Sequence, residues 1–167
     1  SEKKIKIIPN SIDINSIEAS PEMIEKKKLK ILFIGRIEYQ KGIDILLDAI
    51  IKISKEKKRK RFSFEIIGDG SLSYLVKDSI RENNLEGLLK YRSKSDLPLI
   101  HIRRSNIVIH PSRYEGMSNV VLEAMSYGKC VISTYQASSE IIVNNKDGIL
   151  MKSISAIEII NCLEKVS

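Results

Sequence analysis

Apolar positions along the chain fall into short continuous runs alternating with helically spaced stretches. Lys30-Ile31-Leu32-Phe33-Ile34 is an apolar run ending in Gly35 and reads as a buried strand. Ile43, Leu46, Leu47, Ile50 and Ile53 then recur at helical spacing, which predicts an amphipathic helix from about Gly42 to Lys57. Phe62 to Ile67 reads as a second strand, stopped by Gly68-Asp69-Gly70, and Leu72, Leu75, Val76 and Ile80 mark a second helix. Leu88 to Tyr91 is a weaker third strand, after which Ser95 is placed to cap a helix that tolerates Pro98 in its first turn. Ile107-Val108-Ile109 is a strand closed by His110-Pro111-Ser112. Val120, Val121, Ala124 and Met125 give an apolar face to a helix from about Ser118 to Tyr127, stopped by Gly128. A strand at Val131-Ile132, a short helix near Ser139 to Val143, a strand at Ile149 to Met151 and a helix from about Ser155 complete the pattern.

This alternation predicts an α/β fold, a Rossmann-like parallel sheet with helices on both faces. Strands that are apolar throughout, rather than alternating, suit a sheet covered on both sides. Ligands bind such sheets beyond the carboxyl ends of the strands, near the reversal in strand order. The loops after Ile34, Ile67, Tyr91, Ile109 and Ile132 are therefore the informative ones. Residues 1–28 show little periodicity and read as a connecting segment, with the domain proper at 29–167.

Composition narrows the classes. A chain of 167 residues with 43% hydrophobic content is one domain with its own core, not a disordered segment. No apolar run approaches the roughly 20 residues that cross a bilayer, and Ser1-Glu2-Lys3-Lys4 lacks the apolar stretch of a secretory signal. Cys130 and Cys162 are far apart and read as reduced thiols of a cytosolic protein. The net charge of +7 favours anionic partners and is concentrated in Glu25-Lys26-Lys27-Lys28 and in Lys55 to Arg61. These runs read first as a solvated turn and helix end, and second as a contact with an acidic membrane surface. With no Trp and no aromatics interleaved among the cations, a nucleic-acid partner is disfavoured.

Two groups of residues carry candidate chemistry. Gly35-Arg36 and Lys41-Gly42 bracket the first strand-to-helix loop, and both cations suit phosphate oxygens. On these residues alone, solvated surface cations beside turn glycines are an equal reading. In Glu115-Gly116-Met117-Ser118-Asn119-Val120-Val121-Leu122-Glu123, one carboxylate sits in a loop and the other inside the following helix. Gly116 admits close backbone approach, and the amides near Ser118 and Asn119 open a helix, a site for phosphate. Carboxylates only accept hydrogen bonds, so two of them beside a phosphate site suit sugar hydroxyls. Gly68-Asp69-Gly70 is half of a dinucleotide fingerprint, but Ser73 replaces the third glycine and no acidic residue follows at the required distance, which disfavours NAD. His110 ends a strand beside the cleft, yet has no evident acid partner in sequence and reads as a structural histidine, like His101. No Asp-x-Asp pair and no His or Cys spacing suggests a metal.

Taken in order, Ile8-Pro9-Asn10-Ser11-Ile12-Asp13, Phe33-Ile34-Gly35-Arg36 through Lys41-Gly42, Ile67-Gly68-Asp69-Gly70, Pro111-Ser112 through Glu115 to Met125, and Asp147-Gly148-Ile149-Leu150 resemble the C-terminal domain of the group 1 glycosyltransferases, glycosyltransferase family 4, of the GT-B fold. The resemblance implies retaining transfer of a hexose-type sugar from a UDP- or GDP-sugar, without a cofactor or bound metal. It implies that Arg36 and Lys41 hold the donor diphosphate, Glu115 the transferred sugar and Glu123 the ribose. Backbone at Tyr91, Arg92 and Ser93 would lie near the base, with Gly35 and Gly68 lining the site and the amides of Met117 to Asn119 at the phosphates. Glu115, Arg36 and Lys41 would then be the catalytic set. It also implies that residues 1–28 are an interdomain linker packed on the domain, and that an N-terminal domain, absent here, holds a glycan or lipid-linked acceptor, so that this chain alone binds donor without transferring sugar. Analogy favours bacterial cell-envelope polysaccharide synthesis on the cytoplasmic side, with peripheral contact to the membrane. Two departures stand out: Gly128-Lys129-Cys130 where the family often has Gly-Leu-Pro, and Tyr135 to Glu140 where it is often glycine-rich.

Overall fold

The structure is a computed structural model that describes residues 9–12 and 28–166. Most of the connecting segment, including the Glu25 to Lys27 run and Asp13, lies outside the described residues. Six strands, β1 (Leu29–Ile34), β2 (Phe62–Ile67), β3 (Leu89–Arg92), β4 (Ile107–His110), β5 (Cys130–Thr134) and β6 (Ile149–Met151), form one sheet in the order β3-β2-β1-β4-β5-β6, with every pairing parallel. Six α-helices connect or follow them: α1 (Ile43–Ser54), α2 (Ser73–Glu82), α3 (Pro98–Arg104), α4 (Asn119–Ser126), α5 (Tyr135–Ser138) and α6 (Ala156–Val166).

Successive side chains of a strand point to opposite faces. In β1, Ile31 and Phe33 join the buried cluster made with α1, α2 and α6, while Leu32 joins the cluster made with α3 and α4. The helices therefore cover both faces, as the apolar strands require. Cys162 is buried in the first cluster, where burial pushes its thiol up to about 11; both cysteines are free.

Three local expectations need correction. Helix α1 ends at Ser54, not near Lys57, and Lys57–Arg61 form a 3-10 turn. Consecutive cations along one helix turn repel, and the Ser54 hydroxyl bonds back to the Ile51 carbonyl at 2.7 Å. Ser95 does not cap α3: the cap position is Leu97, whose N–H donates to Ser95 Oγ at 3.2 Å, one turn earlier. The short helix expected at Ser139 to Val143 lies instead at Tyr135–Ser138, because Thr134 Oγ1 caps it by accepting from the Ala137 N–H at 3.2 Å. Ser73, which stands where a dinucleotide fingerprint has its third glycine, closes the turn into α2: its hydroxyl accepts from the Gly70 N–H and donates to Asp69.

Candidate functional site

The strand order reverses between β1 and β4, so the loops after Ile34 and His110 face each other across the switch. Backbone contact joins them. Gly42 has φ +69°, and a Cβ built there would stand 2.1 Å from the Pro111 carbonyl oxygen. Gly68 is used in the same way against the neighbouring loop: its φ is +145°, and a Cβ would meet the Gly35 carbonyl oxygen at 1.8 Å. These two glycines let backbone segments of the chain approach each other, a packing role that the sequence reading did not give them.

Side chains complete the junction. The Arg113 guanidinium pairs with both oxygens of Asp44, at 2.9 and 2.7 Å, and stacks 3.6 Å from the centre of the Tyr39 ring. The Arg113 backbone N–H donates to the Gln40 carbonyl at 2.8 Å, while Gln40 Nε2 donates to the Tyr114 carbonyl at 3.0 Å. Burial works against the Asp44 charge, yet the bonds and charge of Arg113 hold its carboxyl below the usual range. Glu38 takes the Ser71 N–H and hydroxyl, tying the β1 loop to the loop after β2 as well.

On this frame stand the expected site residues. Lys41 Nζ forms an ion pair with Glu115 Oε2, with both side chains mostly buried. His110 Nε2 lies 3.4 Å from the same carboxylate oxygen and 3.1 Å from Ser112 Oγ. The hydrogen bond from His110, and then the bond and charge of Lys41, hold the Glu115 carboxyl down to about 2 although burial opposes them. The structural-histidine reading of His110 thus missed an acid partner five residues further on. The usable signal was a strand-ending histidine followed at loop distance by a glutamate.

Arg36 is exposed and has no hydrogen bond or ion pair among the described residues. Glu123 is half-buried on α4, and desolvation raises its carboxyl above the usual range. Its side chain likewise has no partner among the described residues, which leaves it able to accept from hydroxyls. Ser118 occupies the cap position of α4 with no side-chain cap bond, so the first amides of that helix remain available. Asn10 reaches this point from the far end of the chain and donates to the Met117 carbonyl at 2.9 Å and Asn119 Oδ1 at 3.0 Å. Gly116 is exposed with open space where its Cβ would stand.

Glu115, Gly116 and Met117 form one wall of a cavity of about 530 Å³, closed opposite by Gln136 to Ile141 and by Pro9 and Asn10. Beneath it runs a buried hydroxyl network. Ser133 Oγ donates to the His110 carbonyl at 2.9 Å and lies 2.8 Å from Ser138 Oγ, and Thr134 Oγ1 donates to the Ser112 carbonyl at 2.6 Å. A groove of similar size beside Cys130 and Gly148 lies at the opposite edge of the sheet and holds none of these groups. Tyr91, Arg92 and Ser93 are not brought to Glu115. They stand at the end of edge strand β3, where Tyr91 donates to the Gly68 carbonyl at 3.1 Å, the Arg92 carbonyl accepts from the Gly68 N–H, and Arg92 Nε pairs with Glu65 at 2.9 Å. Among the described residues no group of three His, Cys, Asp or Glu is gathered as metal ligands.

The family model "Glycosyl transferases group 1" matches residues 28–166. An Escherichia coli UDP-Gal:alpha-D-GlcNAc-diphosphoundecaprenol alpha-1,3-galactosyltransferase is 28% identical over 98% of this chain and 45% of its own length. The chain thus spans about half the length of the curated relatives it matches. Among solved structures, Anabaena HepE in complex with UDP and glucose has a TM-score of 0.80 at 23% identity, over 96% of this chain and 46% of that one. The C-terminal domain of a Francisella tularensis group 1 glycosyl transferase, LpcC, has a TM-score of 0.78 at 22% identity, over 93% and 87%. With its sheet order, its switch-point residues and the family match in agreement, the chain belongs to the group 1 glycosyltransferases and has the Rossmann-like fold of their GT-B C-terminal domains.

Proposed function

We propose that this chain is the donor-binding part of a retaining glycosyltransferase that moves a hexose-type sugar from a UDP- or GDP-sugar to a glycan or lipid-linked acceptor in cell-envelope polysaccharide synthesis. The observation that carries the reading is the meeting of Lys41, Glu115 and His110 at the switch point, beside a cavity of about 530 Å³. It is supported by the galactosyltransferase activity of the E. coli relative and by UDP and glucose in HepE.

In this reading the bond between the anomeric carbon and the diphosphate oxygen breaks, a bond from the acceptor hydroxyl oxygen forms on the retained face, and the hydroxyl proton passes to the departing phosphate. Arg36, Lys41 and the α4 amides stabilise the charge that grows on the diphosphate, Glu115 holds the sugar and Glu123 the ribose. Tyr91 to Ser93 supply backbone near the base. Saturable binding of UDP or GDP by calorimetry tests the assignment, and no binding of either overturns it.

No metal is assigned, since two cations and a helix terminus supply the positive charge. A protein as long as the relatives, with this chain as its C-terminal part, is expected to transfer sugar at full rate in excess chelator. Activity that vanishes and returns with magnesium or manganese refutes this.

Peripheral membrane contact on the cytoplasmic side is proposed from the exposed Lys57, Arg59, Lys60 and Arg61, at the sheet edge opposite the crevice. Sedimentation with vesicles containing anionic phosphatidylglycerol should exceed that with neutral vesicles and fall steeply with salt. Equal sedimentation with both removes the proposal.

A further inference from the structure

His110 has no part in the roles assigned above, yet it is the most enclosed ionisable side chain of the crevice, with 3% of its side chain exposed. It is fixed at both ends. Its carbonyl accepts from Ser133 Oγ, itself 2.8 Å from Ser138 Oγ, and its ring nitrogen Nε2 lies between Ser112 Oγ and Glu115 Oε2. A carboxylate oxygen only accepts, so Nε2 holds it through the tautomer or charge state in which this nitrogen carries a proton. Lys41 approaches the same oxygen, Oε2, from the loop after β1. Both partners therefore converge on one oxygen of Glu115, and Oε1 receives no hydrogen bond from any described residue.

Lys41 is asked to do two things under the donor reading. It pairs with Glu115, and it must reach the donor diphosphate. A lysine that turns to phosphate withdraws its charge from the carboxylate, whereas a buried, doubly anchored histidine stays where it is. We propose that His110 is a positioning residue for the transferred sugar: it holds Oε2 of Glu115 from beneath, so that Oε1 stays turned to a sugar hydroxyl when Lys41 engages the diphosphate. This rests on the nucleotide-sugar reading. The depressed Glu115 carboxyl, with His110 as its leading cause, agrees with the geometry.

The experiment is calorimetry on the 167-residue chain with UDP, GDP, UDP-glucose, UDP-galactose and GDP-mannose, retaining the nucleotide sugar that gains most over its parent diphosphate. His110→Leu removes the ring donor, and His110→Gln returns an N–H near the Nε2 position. Expected for His110→Leu is a tenfold or greater loss for the nucleotide sugar, with the parent diphosphate within twofold, and for His110→Gln a change within threefold for both. A loss shared equally by sugar and diphosphate, or no loss, overturns the role. Failure of the unsubstituted chain to bind any nucleoside diphosphate overturns the donor reading itself, a different outcome. Should His110→Leu not fold, ¹⁵N ring spectra of the unsubstituted chain decide. A proton on Nε2 is expected, with a resonance that moves in Glu115→Gln while that of His101 does not. A deprotonated Nε2 refutes the contact.

Discussion

Replacing Arg36 and Lys41 together by alanine is expected to weaken UDP or GDP binding by more than tenfold, about 1.4 kcal/mol. The two residues are not equivalent. Arg36 is exposed and makes no hydrogen bond or ion pair with the described residues, only a weak charge interaction with Glu38, so its removal leaves little behind to rearrange. Its single substitution should lower affinity while leaving the melting temperature unchanged. Lys41 is mostly buried against Glu115, and losing it leaves that carboxylate with His110 as its remaining charged or polar neighbour in the crevice. Part of its effect will therefore appear as lost stability. Calorimetry showing unchanged affinity in the double variant would sink the diphosphate assignment, and tighter binding of NAD than of UDP or GDP would favour the dinucleotide alternative.

Gly42→Ala is expected to destabilise the fold by roughly 2–4 kcal/mol and lower the melting temperature by about 10 °C. Two costs combine. The residue has φ +69°, where a side chain is strained, and the new Cβ would overlap the Pro111 carbonyl oxygen, a backbone atom that cannot rotate away. Pro111 is buried and its neighbour Ser112 accepts from Thr134, so the opposing loop has little room to retreat. Because the same contact sets the spacing between Lys41 and Glu115, donor affinity should fall with stability. By contrast, Gly116→Ala, whose Cβ meets open space, should leave the melting temperature unchanged. Equal thermal stability of Gly42→Ala and the unsubstituted chain would refute the packing argument.

The parts of the fold legible in sequence were those governed by burial over many residues. β1 and β4 are apolar runs, β2 begins by alternating Phe62 and Phe64 with Ser63 and Glu65, and α1, α4 and α6 repeat apolar positions at helical spacing, so periodicity alone located them. Errors arose where one hydrogen bond or one repulsion decides: the Thr134 cap that moves α5 towards the N-terminus, and the cationic run that ends α1 early. Within the site, sequence order placed Arg36, Lys41 and Glu115 in loops that follow strand ends and Glu123 inside the next helix, and the structure has them there, because a parallel sheet sends its strand ends to one side. It did not disclose the Arg113–Asp44 pair or the His110–Glu115 contact. Nor did it show Asn10 bonded to Met117 across 107 residues. Such pairings depend on side-chain placement in three dimensions, which no linear spacing encodes.

The two sides of the cavity are built on different principles. The Lys41–Glu115 side is locked by backbone contact at Gly42 and by the Arg113 junction, so changes at those contacts disturb their neighbours. The facing wall, Gln136 to Ile141, meets the sheet through a few hydroxyls and ends in exposed Ser139 and Glu140. Exposed Gln136, Ser139 and Glu140 can therefore change without disturbing the Gly42 and Arg113 contacts, whereas Ala137 and Ser138 are buried. The difference suits this chain to directed evolution with a library confined to Gln136, Ser139 and Glu140, where substitution leaves the opposite side of the cavity in place.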